Sequence, residues 1–148
     1  MTNEQHRRVL VVDDDPTVRG ILLAALRQKA LTVDVASDGK EAIDFLREHT
    51  YGVVLLDLLM PVADGFQVLD SIDTDGLHPS VVLVVSGADR ATLERLDARR
   101  IHGIVRKPFE PQELAAIVAA CVDIRGNRAL ETMALAMMSG SLFTLFDL

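Results

Sequence analysis

The 148-residue sequence has one cysteine, no tryptophan and only 4% aromatic residues. The lone cysteine, Cys121, cannot form an internal disulfide, which excludes a disulfide-stabilised secreted domain and indicates a reducing compartment. No apolar run approaches the ~20 residues that a membrane-spanning helix needs. Residues 1–8 contain no apolar stretch typical of a signal peptide. We therefore expect a cytoplasmic protein with no membrane segment.

Basic residues are also scarce, with 15 Lys and Arg against 22 Asp and Glu, a formal net charge of −7 and a pI near 5.0. This balance argues against a domain that binds nucleic acid by itself, because phosphate contacts need a basic surface. The four histidines lack metal-ligand spacing. The length and the 49% hydrophobic content fit a globular domain with a substantial core.

The sequence contains five short apolar runs. Each is rich in valine, isoleucine and leucine, and most lack polar alternation, which is typical of strands buried on both faces of a parallel sheet. We predict strands near residues 8–13, 31–36, 52–57, 80–86 and 101–106.

Helix signals separate these runs. Asp38 and Asp64 are each followed three residues later by Glu41 or Gln67, a capping-box spacing. They predict helices that end near residues 49 and 73. Further helices are predicted after Asp15, from 89 to 99 and from 110 onward.

The alternation of strands and helices predicts an α/β fold. Five βα units with right-handed crossovers form a doubly wound parallel sheet with helices on both faces. For five strands we predict the flavodoxin-like order 2-1-3-4-5, which places strands one and three side by side at the switch point.

Acidic residues follow these two neighbouring strands where each ends. Asp57 comes directly after the run at 53–56, and the run at 9–12 is followed by Asp13, Asp14 and Asp15. Ligands of open α/β sheets bind at this edge. Two carboxylates ~4 Å apart repel by about 4 kcal/mol at a surface-like dielectric. Such a cluster needs a proton or a hard divalent cation, and Mg²⁺ suits carboxylates that leave room for water and phosphate.

Asp15 also has a structural explanation. With Pro16 it forms an N-cap followed by proline at the first helical position. This explanation leaves Asp13 and Asp14 as candidates for the site.

Two polar residues of other kinds end strands four and five. Ser86 closes the run at 81–85, and Lys107 follows the fifth strand. An acidic pocket, a hydroxyl and an ammonium group together meet the needs of an aspartyl-phosphate. The metal offsets charge, the lysine pairs with one phosphoryl oxygen, and the hydroxyl donates to another.

Five segments in a fixed order carry a family resemblance. They read VLVVDDDP, SDGKEAI, VVLLDLLMPVADGFQVL, VVLVVSGA and GIVRKPF, and they cover roughly residues 8–124. With them the chain resembles the receiver domain of two-component response regulators, of the chemotaxis-regulator kind. The resemblance implies a phosphorelay signalling switch on a flavodoxin-like fold.

The resemblance also implies roles for individual residues. Asp57 would accept the phosphoryl group. Mg²⁺ would be held by Asp57, Asp13, Asp14 and the backbone carbonyl of Leu59. Ser86 would be the switch hydroxyl. Lys107 would bind the phosphoryl group and would precede Pro108 through a cis peptide.

The implied partner is a sensor histidine kinase or a histidine phosphotransfer protein that carries a phosphohistidine. The implied activity is that of a phosphoacceptor that assists its own phosphorylation and dephosphorylation, and not that of an enzyme acting on a separate substrate. One position departs from the family. Receivers usually carry Tyr or Phe three residues before the lysine, as part of the switch, and this sequence has Ile104. The usual aromatic readout is therefore not expected.

The resemblance ends before the C-terminal residues, so we predict a receiver domain at 1–126 and a helical tail, or the start of a linker, at 127–148. An apolar stripe at helical spacing lies in this tail, formed by Leu130, Met133, Ala134, Met137 and Met138. The stripe would pair two protomers or dock on the domain. A homodimer would form through this tail or through the face of the fourth helix, which is the one predicted after the fourth strand.

Two other interpretations remain open from the sequence. Asp13, Asp15 and Thr17 fit the D-x-D-x-T pattern of haloacid dehalogenase-like phosphatases, with Asp13 as nucleophile and Asp15 as general acid. That family needs an acidic pair after the lysine, which is missing here, and leaves Asp57 without a role. The other alternative is a receiver-like interaction module that works without phosphorylation.

Overall fold

A doubly wound sheet forms the centre of the fold in a computed structural model that describes residues 2–124 and 143–145. Its strands are β1 (Arg8–Val12), β2 (Thr32–Ala36), β3 (Val53–Leu56), β4 (Val81–Ser86), β5 (Gly103–Arg106) and β6 (Phe143–Leu145). The order is β2-β1-β3-β4-β5-β6, and β1 to β5 pair in parallel. The predicted parallel order 2-1-3-4-5 is therefore confirmed.

The sixth strand was not predicted. β6 pairs antiparallel with β5, and it falls within the tail that the sequence indicated as helical. In the described part of that tail the backbone is a strand. The apolar stripe predicted between residues 130 and 138 lies outside the described residues.

Helices cover both faces of the sheet. They are α1 (Asn3–His6), α2 (Pro16–Arg27), α3 (Gly39–Glu48), α4 (Gly65–Thr74), α5 (Arg90–Leu93) and α6 (Pro111–Ile124). The predicted N-caps are present, since the side chains of Asp15, Asp38 and Asp64 each accept a backbone N–H from the first turn. Among the described residues, no helix has the length and apolar character needed to cross a bilayer.

The helix predicted from 89 to 99 is much shorter in the structure. α5 ends at Leu93, and a separate 3-10 turn spans Ala98–Arg100. The side chain of Asp97 accepts the backbone N–H of Arg99, and a capping aspartate begins a new turn in place of continuing an old one. This local competition is why helical spacing alone overestimated the length.

Two apolar layers fill the space between the sheet and the helices. Successive residues of a strand point to opposite faces. Val9 and Val11 accordingly pack with residues of α2 and α6, while Leu10 and Val12 pack with residues of α3 and α4. Because β1, β3 and β4 have helices on both sides, their residues are almost all buried, which explains their continuous apolar sequences.

Cys121 packs inside the α6 layer as a free thiol. Burial raises the pKa of this thiol to about 12. Little thiolate therefore exists at neutral pH, and the residue is inert core.

Candidate functional site

The register of the sheet brings the two acidic strand ends together. Val12 pairs with Leu56 across β1 and β3. One residue further on, the backbone N–H of Asp57 donates to the carbonyl of Val12 at 2.9 Å. Asp13 and Asp57 thus leave neighbouring strands at the same level, as the predicted strand order requires.

Three carboxylates converge at this edge of the sheet. One oxygen each from Asp13, Asp14 and Asp57 lies within 4.8 Å of the other two. Asp13 is 2% exposed and Asp57 6% exposed, whereas Asp14 is exposed. The donor set is made of oxygens only and is open on one side, which fits a hard cation such as Mg²⁺ that keeps part of its water shell.

Lys107 supplies positive charge to the same cluster. Its Nζ lies 2.6 Å from Asp13 Oδ2 and 3.5 Å from Asp57 Oδ2. Burial acts to lower the pKa of Lys107, but the hydrogen bond to Asp13 and the charges of both carboxylates outweigh it and raise that pKa. The side chain is therefore an ammonium group held beside both acids.

The environment of Asp57 disfavours the ionised form of its carboxyl group. Desolvation is the largest cause and raises its pKa, and the negative charge of Asp13 acts in the same direction. Lys107 opposes this shift without cancelling it. A cation placed among the carboxylates would remove the penalty, so the electrostatics of the site favour a bound metal.

Ser86 is fixed at the end of β4. It is 1% exposed, and its Oγ accepts the backbone N–H of Ala88 at 3.0 Å. Its carbonyl accepts the backbone N–H of Lys107 at 3.0 Å. The hydroxyl and the ammonium group that the sequence singled out are therefore carried by two chain segments that are bonded to each other. The peptide bond between Lys107 and Pro108 is cis.

Sequence reasoning missed one cation at the site. The Nη1 of Arg19 donates to the backbone carbonyl of Asp13 at 2.8 Å. The signal was available, since Arg19 lies one turn beyond the N-cap Asp15 and a helical side chain leans back towards the N-terminus. Arg19 holds the loop that carries Asp13 and Asp14.

The loop after Asp57 is fixed by close backbone packing. The N–H of Gly65 donates to the carbonyl of Leu58 at 2.9 Å, and a Cβ built on Gly65 would lie 2.4 Å from the carbonyl oxygen of Asp57. The side chain of Leu59 is 54% exposed and has no donor atom, so any part in metal binding would fall to its backbone carbonyl, as the family resemblance implies.

Val62 sits in a strained turn of this loop. The N–H of Ala63 donates to the carbonyl of Pro61 at 2.8 Å, and Val62 at the centre has φ of +68°. A β-branched residue rarely adopts such a conformation. The Val62 side chain is 77% exposed, so packing does not offset the strain.

We expect Val62→Gly to stabilise the protein by about 1 kcal/mol. The left-handed conformation destabilises a residue that has a Cβ by about 1–2 kcal/mol. Glycine avoids this strain, but its greater freedom in the unfolded chain offsets roughly 0.5–1 kcal/mol of the gain. Urea unfolding at constant m-value measures the change. Val62→Ala keeps the Cβ and serves as the control, with a smaller gain. Equal effects of the two variants would contradict the assignment of strain to the backbone.

The remaining predicted residues lie away from the carboxylates or are engaged elsewhere. Ile104 is 4% exposed and packs in the core layer with residues of α3 and α4. Asp15, the general acid of the phosphatase alternative, is exposed and caps α2 through Thr17. Near α5, Arg100 forms ion pairs of 2.8 Å with Asp70 and with Asp73. A homodimer through the α5 face stays a prediction.

Comparisons with known proteins agree with this geometry. A family model described as response regulator receiver domain matches residues 9–119. A probable transcriptional regulator, ycf27 of Guillardia theta, is 38% identical over 128 residues, which are 85% of this chain and 49% of that protein. Transcriptional regulatory protein SrrA of Staphylococcus aureus is 32% identical over 120 residues, 81% of this chain and 48% of its own. The chain therefore spans about half the length of these relatives.

Solved structures show the same fold. The receiver domain of Francisella response regulator 1452 superposes with a TM-score of 0.70 at 25% identity, covering 79% of this chain and 97% of that one. Response regulator protein TrrA of Thermotoga maritima, in complex with Mg²⁺ and BeF, gives a TM-score of 0.67 at 27% identity. The match covers 77% of this chain and 97% of TrrA.

Proposed function

The chain belongs to the response regulator receiver domain family, and from this premise we propose that it is a phosphorylation-controlled signalling switch. Asp57 accepts a phosphoryl group from the phosphohistidine of a sensor histidine kinase or a histidine phosphotransfer protein, in a reaction that depends on Mg²⁺. The observation that supports this most is the convergence of three carboxylates and one ammonium group at the ends of β1, β3 and β5.

The chemistry proposed for Asp57 is a phosphoryl transfer. One oxygen of its carboxylate forms a bond to phosphorus while the bond between phosphorus and the imidazole nitrogen of the donor breaks. The imidazole departs with the electron pair of that bond and takes a proton. The protein acts as the acceptor and assists the transfer, so it is not proposed as an enzyme acting on a separate substrate.

Mg²⁺ is the cofactor that the donor set fits, with Asp13, Asp14, Asp57 and the carbonyl of Leu59 as its proposed ligands. When bound, it offsets the negative charge that gathers between Asp57 and the incoming group. The neighbouring acids contribute oxygen ligands only, which is the preference of this ion.

Lys107 and Ser86 are proposed to bind the phosphoryl oxygens. Lys107 already lies 3.5 Å from Asp57, so a small movement away from Asp13 brings its ammonium group to the new oxygens. The Oγ of Ser86 accepts a hydrogen bond from Ala88, which leaves the hydroxyl proton for donation. Each contact adds a charge-assisted hydrogen bond to the phosphorylated state.

The relatives named as transcriptional regulators are about twice as long as the matched region. For the receiver itself we propose no nucleic-acid contact, because the chain has a net charge of −7 and repels phosphate backbones. Its direct partner is proposed to be the phosphohistidine protein.

The test of this function is intact-mass analysis after incubation with acetyl phosphate. We expect the mass to rise by one phosphoryl group with Mg²⁺ present and to stay unchanged when the metal is chelated. A generic phosphomonoester is incubated in parallel. Steady turnover of that substrate with no label on the protein would favour the phosphatase alternative, and neither label nor turnover would favour a phosphorylation-independent module.

We also expect Mg²⁺ to stabilise the fold and Asp14→Ala to weaken this response. A cation that binds only the folded state at ten times its Kd adds about 1.4 kcal/mol to the free energy of unfolding. Asp14→Ala removes one ligand and one repelling charge, so the metal-free variant should be at least as stable as the metal-free wild type.

Thermal melts with and without Mg²⁺ measure both effects. Asp44→Ala is the matched control, since Asp44 is an exposed acid on α3 outside the carboxylate cluster, and it should keep the full response to Mg²⁺. An Asp14→Ala protein that gains as much stability from Mg²⁺ as the wild type would remove Asp14 from the metal site.

A further inference from the structure

The outer edge of β5 is covered by the chain's own C-terminal strand. β6 pairs antiparallel with β5, with Gly103 opposite Leu145, Ile104 opposite Thr144 and Val105 opposite Phe143. Without β6, β5 would be the edge of the parallel sheet, since the order is β3-β4-β5-β6 on this side. Exposed edges of this kind recruit other extended chains.

The direction of the β5 backbone groups follows from one hydrogen bond. The N–H of His102 donates to the carbonyl of Val82 in β4 at 2.8 Å. Backbone groups alternate along a strand, so the N–H and C=O of Gly103 and of Val105 point away from β4, towards β6. Residues facing each other in this way across an antiparallel pair exchange two hydrogen bonds. The pairs Gly103–Leu145 and Val105–Phe143 are therefore the bonded ones.

The same alternation applies to β6. The N–H groups of Phe143 and Leu145 point to β5, whereas the N–H of Thr144 points away from it. Gly103 and Val105, the β5 residues opposite Leu145 and Phe143, are buried. The outward backbone groups of this buried strand therefore pair with Phe143 and Leu145 of the tail.

β5 also leads directly into the proposed phosphorylation site. Lys107 follows the last residue of β5, and its N–H donates to the carbonyl of Ser86. Val105 lies two residues from Lys107. Of the two bonded pairs, Val105–Phe143 lies nearer to Lys107 in the sequence, so a shift of the backbone at Lys107 would reach it before the Gly103–Leu145 pair.

We propose that the β5 edge is a strand-addition surface which this chain fills with its own residues Phe143–Leu145, and that phosphorylation at Asp57 weakens this pairing. The second part rests on the proposed function, whereas the first part does not. Covered by β6, the edge is closed to other extended segments. Phosphorylation opens it to an extended segment of a partner protein. A pairing of only three residues belongs to the least stable part of a fold, which suits it to such release.

Amide hydrogen exchange of the full chain, read by NMR, tests the first part. We expect the amides of Gly103 and Val105 to exchange more slowly than unstructured amides and at rates independent of protein concentration. Leu145→Pro removes a donor that faces β5 and should speed exchange at Gly103. Two controls should leave Gly103 protected: Thr144→Pro removes a donor that faces away, and Leu145→Ala keeps the donor.

Three outcomes would overturn the first part. Gly103 and Val105 would exchange as fast as unstructured amides in the wild type, or the two proline variants would behave alike. Alternatively, protection would rise with protein concentration, which would mean that the strand comes from a second copy of the chain.

The second part is tested by adding Mg²⁺ and beryllofluoride, a phosphoryl mimic. Exchange at Val105 should accelerate by at least about fivefold, the lower end of typical coupling between two sites. Coupling is reciprocal, so Leu145→Pro should bind beryllofluoride more tightly by the same factor. Binding of the mimic, seen as shifts of the Asp57 and Gly65 amides, with no change at Val105 would overturn the coupling. Absence of those shifts would count against the proposed function and leave the strand pairing intact.

Discussion

Asp57→Asn is expected to abolish labelling of the protein by acetyl phosphate. The substitution keeps the size of the side chain and removes the anionic oxygen that attacks phosphorus. In the structure Asp57 is the buried acid that lies beside both Asp13 and Lys107. The wild type with Mg²⁺ should gain one phosphoryl group, and the variant should show none at any time point.

The fold of this variant should be intact. Burial raises the pKa of Asp57 above its unfolded value. The stabilising contribution of a carboxyl group with a raised pKa is present below its unfolded pKa and is lost as the pH rises through the folded pKa. At neutral pH the ionised group therefore opposes folding, and a neutral amide should leave the melting temperature equal or higher.

Asp15→Asn is the matched control for this experiment. Asparagine caps a helix as well as aspartate does, so α2 should be unaffected and labelling should proceed as in the wild type. Loss of labelling in Asp15→Asn, together with its persistence in Asp57→Asn, would transfer the phosphoacceptor role to the neighbourhood of Asp13. The phosphatase alternative would then explain the site better than the receiver does.

Gly65→Ala is expected to destabilise the protein by about 3 kcal/mol, at the upper end of typical overpacking costs. The added Cβ would lie 2.4 Å from the carbonyl oxygen of Asp57 and 2.8 Å from the Cα of Leu58. Both contacts are with backbone, which cannot move aside as a flexible side chain does. The loop would shift, and a displacement of ~1 Å at a reacting group lowers rates by about 100-fold. Urea unfolding and the rate of acetyl phosphate labelling measure the two effects.

Gly20→Ala makes the same chemical change where there is room. A Cβ at Gly20 would have no atom within 4 Å outside its own helix, and alanine is favoured over glycine inside a helix by about 1 kcal/mol. This variant should therefore be more stable than the wild type and should label at the normal rate. If Gly65→Ala were as stable as the wild type and labelled normally, close packing against Asp57 would not be what positions the phosphoacceptor.

Some misses of the sequence interpretation have a common cause. Three features each depend on one local geometry: the separate 3-10 turn that Asp97 caps, the guanidinium of Arg19 on the Asp13 carbonyl, and the strained φ of Val62. Composition and periodicity average over such details. The turn at Asp97 and the strain at Val62 are visible only when the backbone path is known, whereas the position of Arg19 one turn beyond the N-cap Asp15 was a usable signal.

The sequence by itself determined the parallel sheet, its order and the position of the candidate site. Strands buried on both faces are apolar throughout and helix ends are capped, so both kinds of element can be located from short stretches of sequence. The right-handedness of the crossovers then restricts how the strands can be arranged. Once strands one and three are neighbours, the carboxylates that follow them must meet.

Only the tertiary structure decided how the site is held and what covers the sheet edge. The pairing of Lys107 with Asp13, the fit of Gly65 against Asp57 and the addition of Phe143–Leu145 to β5 join residues far apart in the chain. Contacts of this kind depend on distances that the fold sets to within an ångström. No local sequence pattern predicts these contacts, because the same short segments could occur in a chain whose fold keeps those residues far from one another.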